Sequence, residues 1–297
     1  MKIAVIGRSG QVAQALLERG AKQGLEIVCF GRPSLDLADE YSIVRALSSL
    51  QCDVVINAAA YTAVDRAESE EALATAINGR GAGAVADVAA KLGLPFLHIS
   101  TDYVFAGDGK EPYSESDMTG PLSAYGRSKL AGEIAVMAAN PRSAIFRTSW
   151  VYSPFGSNFV KTMLRLGETR SEVSVVADQV GSPTSAFDIA DALISASRRI
   201  VAEPTNKDLF GVFHLTGTSE ASWAEFAEAI FAFRASAGQP MVSVKPITTA
   251  DYPTPARRPA NSRLSCKKLE LIYGLQLPDW HESLNVTLAR LLDAQQV

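Results

Sequence analysis

Tyr125 and Lys129 lie four places apart in the stretch AYGRSK, and no other Tyr-x-x-x-Lys occurs in the chain. On a helix, positions i and i+4 share a face, which sets the lysine beside the phenol. A neighbouring ammonium favours the phenolate and lowers a pKa that is ordinarily about 10. A phenol tuned in this way can protonate a carbonyl oxygen while hydride reaches the carbon. Thr101 closes the run Ser100-Thr101-Asp102, and its hydroxyl is placed to hydrogen-bond the same oxygen. Taken singly, Thr101 reads as a strand-end cap and the Tyr–Lys pair as two residues on one helical turn. Only the elements around them can turn three side chains into a site.

The first of those elements is a glycine turn. The apolar run 2–6 leads into Gly7-Arg8-Ser9-Gly10-Gln11-Val12-Ala13, after which a helical pattern extends to about Lys22. Gly7 permits a tight turn, Gly10 lets backbone approach a pyrophosphate, and a small residue at 13 lets helix and strand pack closely. The helix N-terminus then offers free N–H groups to phosphate. The second apolar run ends Cys29-Phe30-Gly31-Arg32, where an acidic residue would mark an NAD domain. Arg32, with Arg8 nearby, instead suits a ribose 2′-phosphate and tilts the cofactor towards NADPH, with NADH as the alternative. Asp36 and Leu37 are placed near the adenine, and the backbone of Ala58, Ala59 and Ala60, after the third run, along the cofactor.

Apolar runs at 2–6, 26–30, 53–56, 95–100 and 144–148 alternate with helical patterns, including an Ala-rich stretch over 71–92. They are continuous rather than alternating, as strands covered on both faces must be. The expected fold class is α/β, a doubly wound parallel Rossmann-type sheet with a smaller C-terminal α/β lobe. Residues 1–150 form the dinucleotide-binding domain on this reading and 151–297 mainly the substrate-binding lobe. Strands near 173–176 and 212–215 are expected to return to the sheet. Residues 246–263 make a Pro- and Arg-rich loop.

Composition narrows the function. The 297 residues are 47% hydrophobic and 20% charged, with a net charge of −4. That balance argues against nucleic acid and anionic membranes as partners. Three scattered cysteines suit buried thiols in the cytoplasm better than disulfides, and the three histidines lack metal-ligand spacing. No metal is expected.

Gly7-x-x-Gly10-x-x-Ala13, Ser100-Thr101-Asp102 and Tyr125-x-x-x-Lys129 together resemble the extended short-chain dehydrogenase/reductase superfamily. The stretches NAAAYTAVDRAESE, HISTDYVFAGDG, PLSAYGRSKLAGE, FRTSWVY, NFVKTML, DQVGSPT and YPTPARRPANSRL are similar to the dTDP-4-dehydrorhamnose reductase family within it. The resemblance runs from residue 7 to 264. It implies reduction of the 4-keto group of a dTDP-linked sugar by NADPH or NADH, in dTDP-rhamnose biosynthesis. It also implies that Gln11 and Val12 touch the pyrophosphate, and that Ser100, Tyr125 and Lys129 surround the nicotinamide ribose. Thr101, Asp102 and Trp150 would face the sugar. Arg257, Arg258, Asn261 and Arg263 lie in the late loop, where arginine forks suit the substrate diphosphate. Some members dimerise through magnesium-binding glutamates. Two of those positions are Ala15 and Phe187 here, so a monomer is expected rather than a magnesium-bridged dimer. Other nucleotide-sugar reductases and epimerases share the motifs. So does the regulatory β-subunit of methionine adenosyltransferase, which keeps a similar Tyr–Lys stretch without the same role.

Overall fold

The computed structural model describes residues 1–293. Its centre is a six-stranded, wholly parallel sheet. The strands are β1 (Lys2–Ile6), β2 (Glu26–Phe30), β3 (Val54–Asn57), β4 (Phe96–Thr101), β5 (Ser143–Thr148) and β6 (Gly211–His214). Their spatial order is 2-1-3-4-5-6. The direction of winding reverses between β1 and β3, and ligands bind doubly wound sheets in the crevice at such a switch point. Ile3, Ala4, Val5, Ile6, Val54 and Ile56 are completely or almost completely buried, because helices cover both faces. On one face pack α1 (Gln11–Lys22) and α5 (Ala186–Ala202); on the other lie α2 (Glu40–Leu47), α3 (Ala82–Lys91) and α4 (Ala124–Ala139).

The Ala-rich stretch is not the uninterrupted helix its composition suggests. Between Glu71–Thr75 and α3 the turns widen into a π-helix over Ala76–Gly81. Asn78 in this segment accepts from the Tyr61 N–H (2.7 Å) and donates to Tyr61 O (3.0 Å) and Ser128 Oγ (2.9 Å). One wide turn thus ties the loop after β3 to α4, a use of π geometry common near functional sites.

A second hydrophobic core lies beyond residue 150. Tyr152, Val160, Phe226, Phe231, Trp280, Leu284 and Leu288 form it. The chain does not divide at one point, however. β6 and α5 return to the sheet, whereas the strand Glu172–Val176 does not. It pairs in parallel with Ser243–Ile247 in a small sheet of the second core, which corrects the expectation that it rejoins the first. Its alternating burial marks it as covered on one face only, unlike the sheet strands. Among the described residues no helix is long and apolar enough to cross a membrane.

Candidate active site

The glycine turn lies at the switch point. Gly7 has φ +127°, a region that side chains avoid, and its N–H donates to Phe30 O at 2.7 Å. A Cβ at Gly7 would stand 3.4 Å from both the Ala13 methyl and the Ala58 carbonyl carbon, so turn, helix and β3 end meet here. Gly10 is the N-cap of α1, with no side-chain cap and no acidic residue in the first turn. The N–H groups that open α1 are left to an anion, which is the condition a pyrophosphate requires.

Val12 is 8% exposed and its side chain is in the core, so only its backbone can serve a ligand. Gln11 is committed elsewhere: its Oε1 accepts from Ser153 Oγ (2.8 Å) and Asn158 Nδ2 (2.9 Å), fastening the turn to the C-terminal lobe. Arg32 and Arg8 are exposed, and the stem of Arg8 lies against Gly31. Neither arginine has a carboxylate partner among the described residues. Asp36 Oδ1 accepts from the Ala38 N–H at 3.0 Å, and Leu37 is buried in the core. Ala58, Ala59 and Ala60 are half-buried at the end of β3.

Thr101 and Tyr125 meet at the C-terminal end of β4. Ser123 caps α4 by accepting from the Gly126 N–H at 3.1 Å, which starts the helix one residue before Tyr125. Gly126 lets this end close onto the turn after β4, since a Cβ there would sit 2.2 Å from Tyr103 O. Tyr103 packs edge-on against Tyr125, with centroids 5.5 Å apart. Burial pushes the Tyr125 phenol above its ordinary value; the Thr101 hydroxyl opposes this, and Asp102 and Tyr103 add to it. The expectation of a phenol lowered by Lys129 is therefore corrected. The lysine does share the helix face, but its Nζ turns inward to Ile99 O (2.7 Å) and His98 Nε2 (3.3 Å). Burial brings Lys129 down to about 8, against the opposing charge of Glu133. A neutral phenol holds the proton that a donor needs.

Asp102 is 4% exposed. One oxygen accepts from Thr101 Oγ1 at 2.9 Å, and the other is buried near Ser262 without a well-formed hydrogen bond. Burial raises its carboxyl to about 6. Ser100 Oγ donates not outward but to Glu133 Oε1 at 2.5 Å. Glu133 in turn takes both Nε (2.9 Å) and Nη2 (2.6 Å) of Arg147 in a buried fork. Sequence reasoning missed Glu133, although it continues the Tyr125, Lys129 face by another four residues.

Trp150 has φ +49°, a strained value for a large residue, and is half-buried. Its ring stacks on Trp223 with centroids 3.5 Å apart and closes on Gly181. No local signal foretold Trp223 as its partner. In the late loop, Arg257 is exposed. Arg258 reaches Asp65 Oδ2 (2.9 Å) and the Tyr103 hydroxyl (3.3 Å), which brings it to the ring that packs on Tyr125. Asn261 departs from expectation. It is 6% exposed, its Nδ2 donates to Gly109 O and Glu111 O, and its Oδ1 accepts twice from Arg263. With every polar atom of its side chain engaged, it braces the loop rather than meeting a diphosphate.

Comparison with known proteins shows the family of the chain. The family model described as RmlD substrate binding domain matches residues 1–293. A dTDP-4-dehydrorhamnose reductase of Sinorhizobium fredii is 51% identical over 283 residues, covering 95% of each chain. The enzyme of that name from Escherichia coli K12 is 41% identical, covering 94% of each. Among solved structures, a dTDP-4-dehydrorhamnose reductase of Clostridium acetobutylicum superposes with TM-score 0.90 at 39% identity over all of both chains. One from Bacillus anthracis, in complex with NADP, gives 0.89 at 37% identity, covering 97% of this chain and 99% of its own. With the whole described chain matched and relatives well above 30% identity, this protein belongs to the RmlD substrate binding domain family, that of the dTDP-4-dehydrorhamnose reductases.

Proposed function

We infer that this chain reduces the 4-keto group of dTDP-4-dehydro-β-L-rhamnose with NADPH, giving dTDP-L-rhamnose. The observation that carries the reading is the neutral Tyr125 phenol beside Thr101, at the strand ends that also carry the glycine turn. The cofactor supplies a hydride when bound. The chain's own groups do the rest. Backbone N–H groups opening α1 hold the pyrophosphate, and Arg8 and Arg32 meet the 2′-phosphate. Thr101 donates to the sugar carbonyl oxygen, and Tyr125 transfers its proton to that oxygen. Lys129 holds the ribose hydroxyls and stabilises the phenolate left behind. Asp102 and Trp150 line the sugar, and Arg257 and Arg258 approach the diphosphate. Residues 1–150 supply most of the cofactor side, and the later lobe most of the substrate side.

The protein acts as a cytoplasmic monomer on this reading. Ala15 and Phe187, two of the positions where some relatives carry magnesium-binding glutamates, are buried in the sheet core and offer no ligand. Among the described residues no group of three or more His, Cys, Asp or Glu is clustered for a metal. Incubation with NADPH and dTDP-4-dehydrorhamnose should consume the cofactor and yield dTDP-L-rhamnose, identified by mass and sugar analysis. Purified protein that carries tightly bound NAD and consumes no NADPH would point instead to an epimerase.

A further inference from the structure

Behind the Tyr–Lys pair runs a chain of buried hydrogen bonds whose direction is fixed at one end. The Ala59 N–H donates to Asn57 Oδ1 at 3.2 Å, so the amide must turn its Nδ2 towards His98. Asn57 Nδ2 stands 3.1 Å from His98 Nδ1, which makes Nδ1 the acceptor. A neutral imidazole then carries its hydrogen on Nε2. That hydrogen points at Lys129 Nζ, 3.3 Å away. An ammonium cannot accept it; an amine can. Asn57, His98 and Lys129 are each no more than 2% exposed, so water does not relax the conflict.

We propose that Asn57 and His98 are positioning residues that couple the charge of Lys129 to the backbone lining the cofactor, through reversal of this chain. In one polarity, Ala59 N–H, Asn57 Nδ2–H and His98 Nε2–H each donate towards Lys129, which is a neutral amine giving one N–H to Ile99 O. In the other, Lys129 is an ammonium and donates to Nε2, the imidazole carries its hydrogen on Nδ1, and the Asn57 amide is flipped. Passing to the second polarity takes up one proton from solvent and leaves the imidazole neutral. It also releases the Ala59 N–H from Asn57, freeing a donor at the β3 end for cofactor or water.

Burial favours both neutral forms: it lowers Lys129 to about 8 and holds His98 well below its ordinary range, with the lysine charge lowering His98 further. The other charged or titratable groups about Lys129 are Tyr125 and Glu133 on its own helix, Asp102 on the turn after β4, and Arg147 on β5, which is spent on Glu133. β3 presents only the neutral Asn57. Glu133 favours the ammonium while burial favours the amine, so the two polarities compete, and a ligand that binds one better shifts the chain towards it.

The proposal rests on Lys129 serving the cofactor, but its test does not need turnover. Uniform ¹⁵N labelling gives ring signals from only three histidines, and the His98→Gln spectrum identifies the first. His98 should be the Nε2–H tautomer near pH 10 and the Nδ1–H tautomer near about pH 6.5, with NADP⁺ moving the crossover upward. Asn57→Ala, which no longer fixes Nδ1, should lose the alkaline preference for Nε2–H. In His98→Gln the side-chain amide can present oxygen to the ammonium. The alkaline limb of kcat/KM should then rise by about one pH unit, a displacement that mere loosening of the fold would not give. A single tautomer from about pH 6 to about pH 10 with and without NADP⁺, or an imidazolium in that range, overturns the coupling. Either result leaves the Tyr125 assignment untouched.

Discussion

The two sides of the site are held by opposite means. On the sheet side, His98, Ser100, Lys129, Glu133 and Arg147 are each no more than 4% exposed and are bonded in two sets, Lys129 to His98, and Ser100 and Arg147 to Glu133. On the loop side, Arg257 is exposed, and Arg258 is held by an ion pair with Asp65 whose side chains are 30% and 39% exposed. A buried network cannot yield one member without stranding another, so it fixes geometry before any ligand arrives. A partly exposed ion pair is worth about 0–1 kcal/mol and is released at little cost. The chemistry sits on the rigid side and the adaptable contacts on the other.

The rigid side breaks most sharply at the proton donor. Tyr125→Phe should keep NADPH affinity and the melting temperature while lowering kcat by about 10²- to 10⁴-fold. Fluorescence titration with NADPH alongside steady-state rates separates the two effects. Wild-type turnover in this variant would remove Tyr125 from its role. Next comes the network itself. Glu133→Ala leaves Arg147 buried without its carboxylate, and should cost about 3–5 kcal/mol in denaturant unfolding. The same substitution at the exposed Glu71, which forks with Arg127 on the outside of α4, should cost less than about 1 kcal/mol.

Asp102 tests the border between the two sides through pH. Its carboxyl, ordinarily near 3.8, is raised to about 6 by burial, so the folded chain holds that proton more tightly than the unfolded one. Stability from this group is therefore present below about pH 4, is lost as pH rises to about 6, and stays lost above. The cost is on the order of 3 kcal/mol at most. Asp102→Asn removes the ionisation. It should unfold at higher denaturant than wild type at pH 8 and lose that advantage near pH 4, while turnover falls. Equal gains at both pH values would show that burial of the charge is not the cause.

The sheet side was legible because its signals are local. Gly7 and Gly10 declare a turn, Tyr125 and Lys129 a helix face, and the continuous apolar runs a parallel sheet. What stayed hidden depends on contacts between distant segments. Trp150 on Trp223, Gln11 on Ser153 and Asn158, and Arg258 on Asp65 join residues with no pattern to pair them. Lys129 shows the limit even of a local rule. The i, i+4 spacing placed it on the right face, but the hydrogen-bond partners offered by Ile99 and His98 decided which way its amino group turned. Asn261 shows the same limit: its place in the late loop suggested a ligand contact, whereas its side-chain amide donates to the backbone carbonyls of residues 109 and 111.

The loop side gives the smallest effect and the most selective one. If the Arg258–Asp65 pair opens to admit a diphosphate, Arg258→Ala should raise KM for the dTDP-sugar by about tenfold, the worth of one charge-assisted contact. kcat should change little, since the lost binding is shared by ground and transition states. Asp65→Asn removes the competing carboxylate and should leave KM unchanged or lower it, because the guanidinium no longer has to be taken from a partner. Both differences should shrink as salt is added, the half-exposed pair being screened. A large fall in kcat in Arg258→Ala would mean the guanidinium acts through the Tyr103 hydroxyl on the ring beside Tyr125, and the loop would then belong to the rigid side.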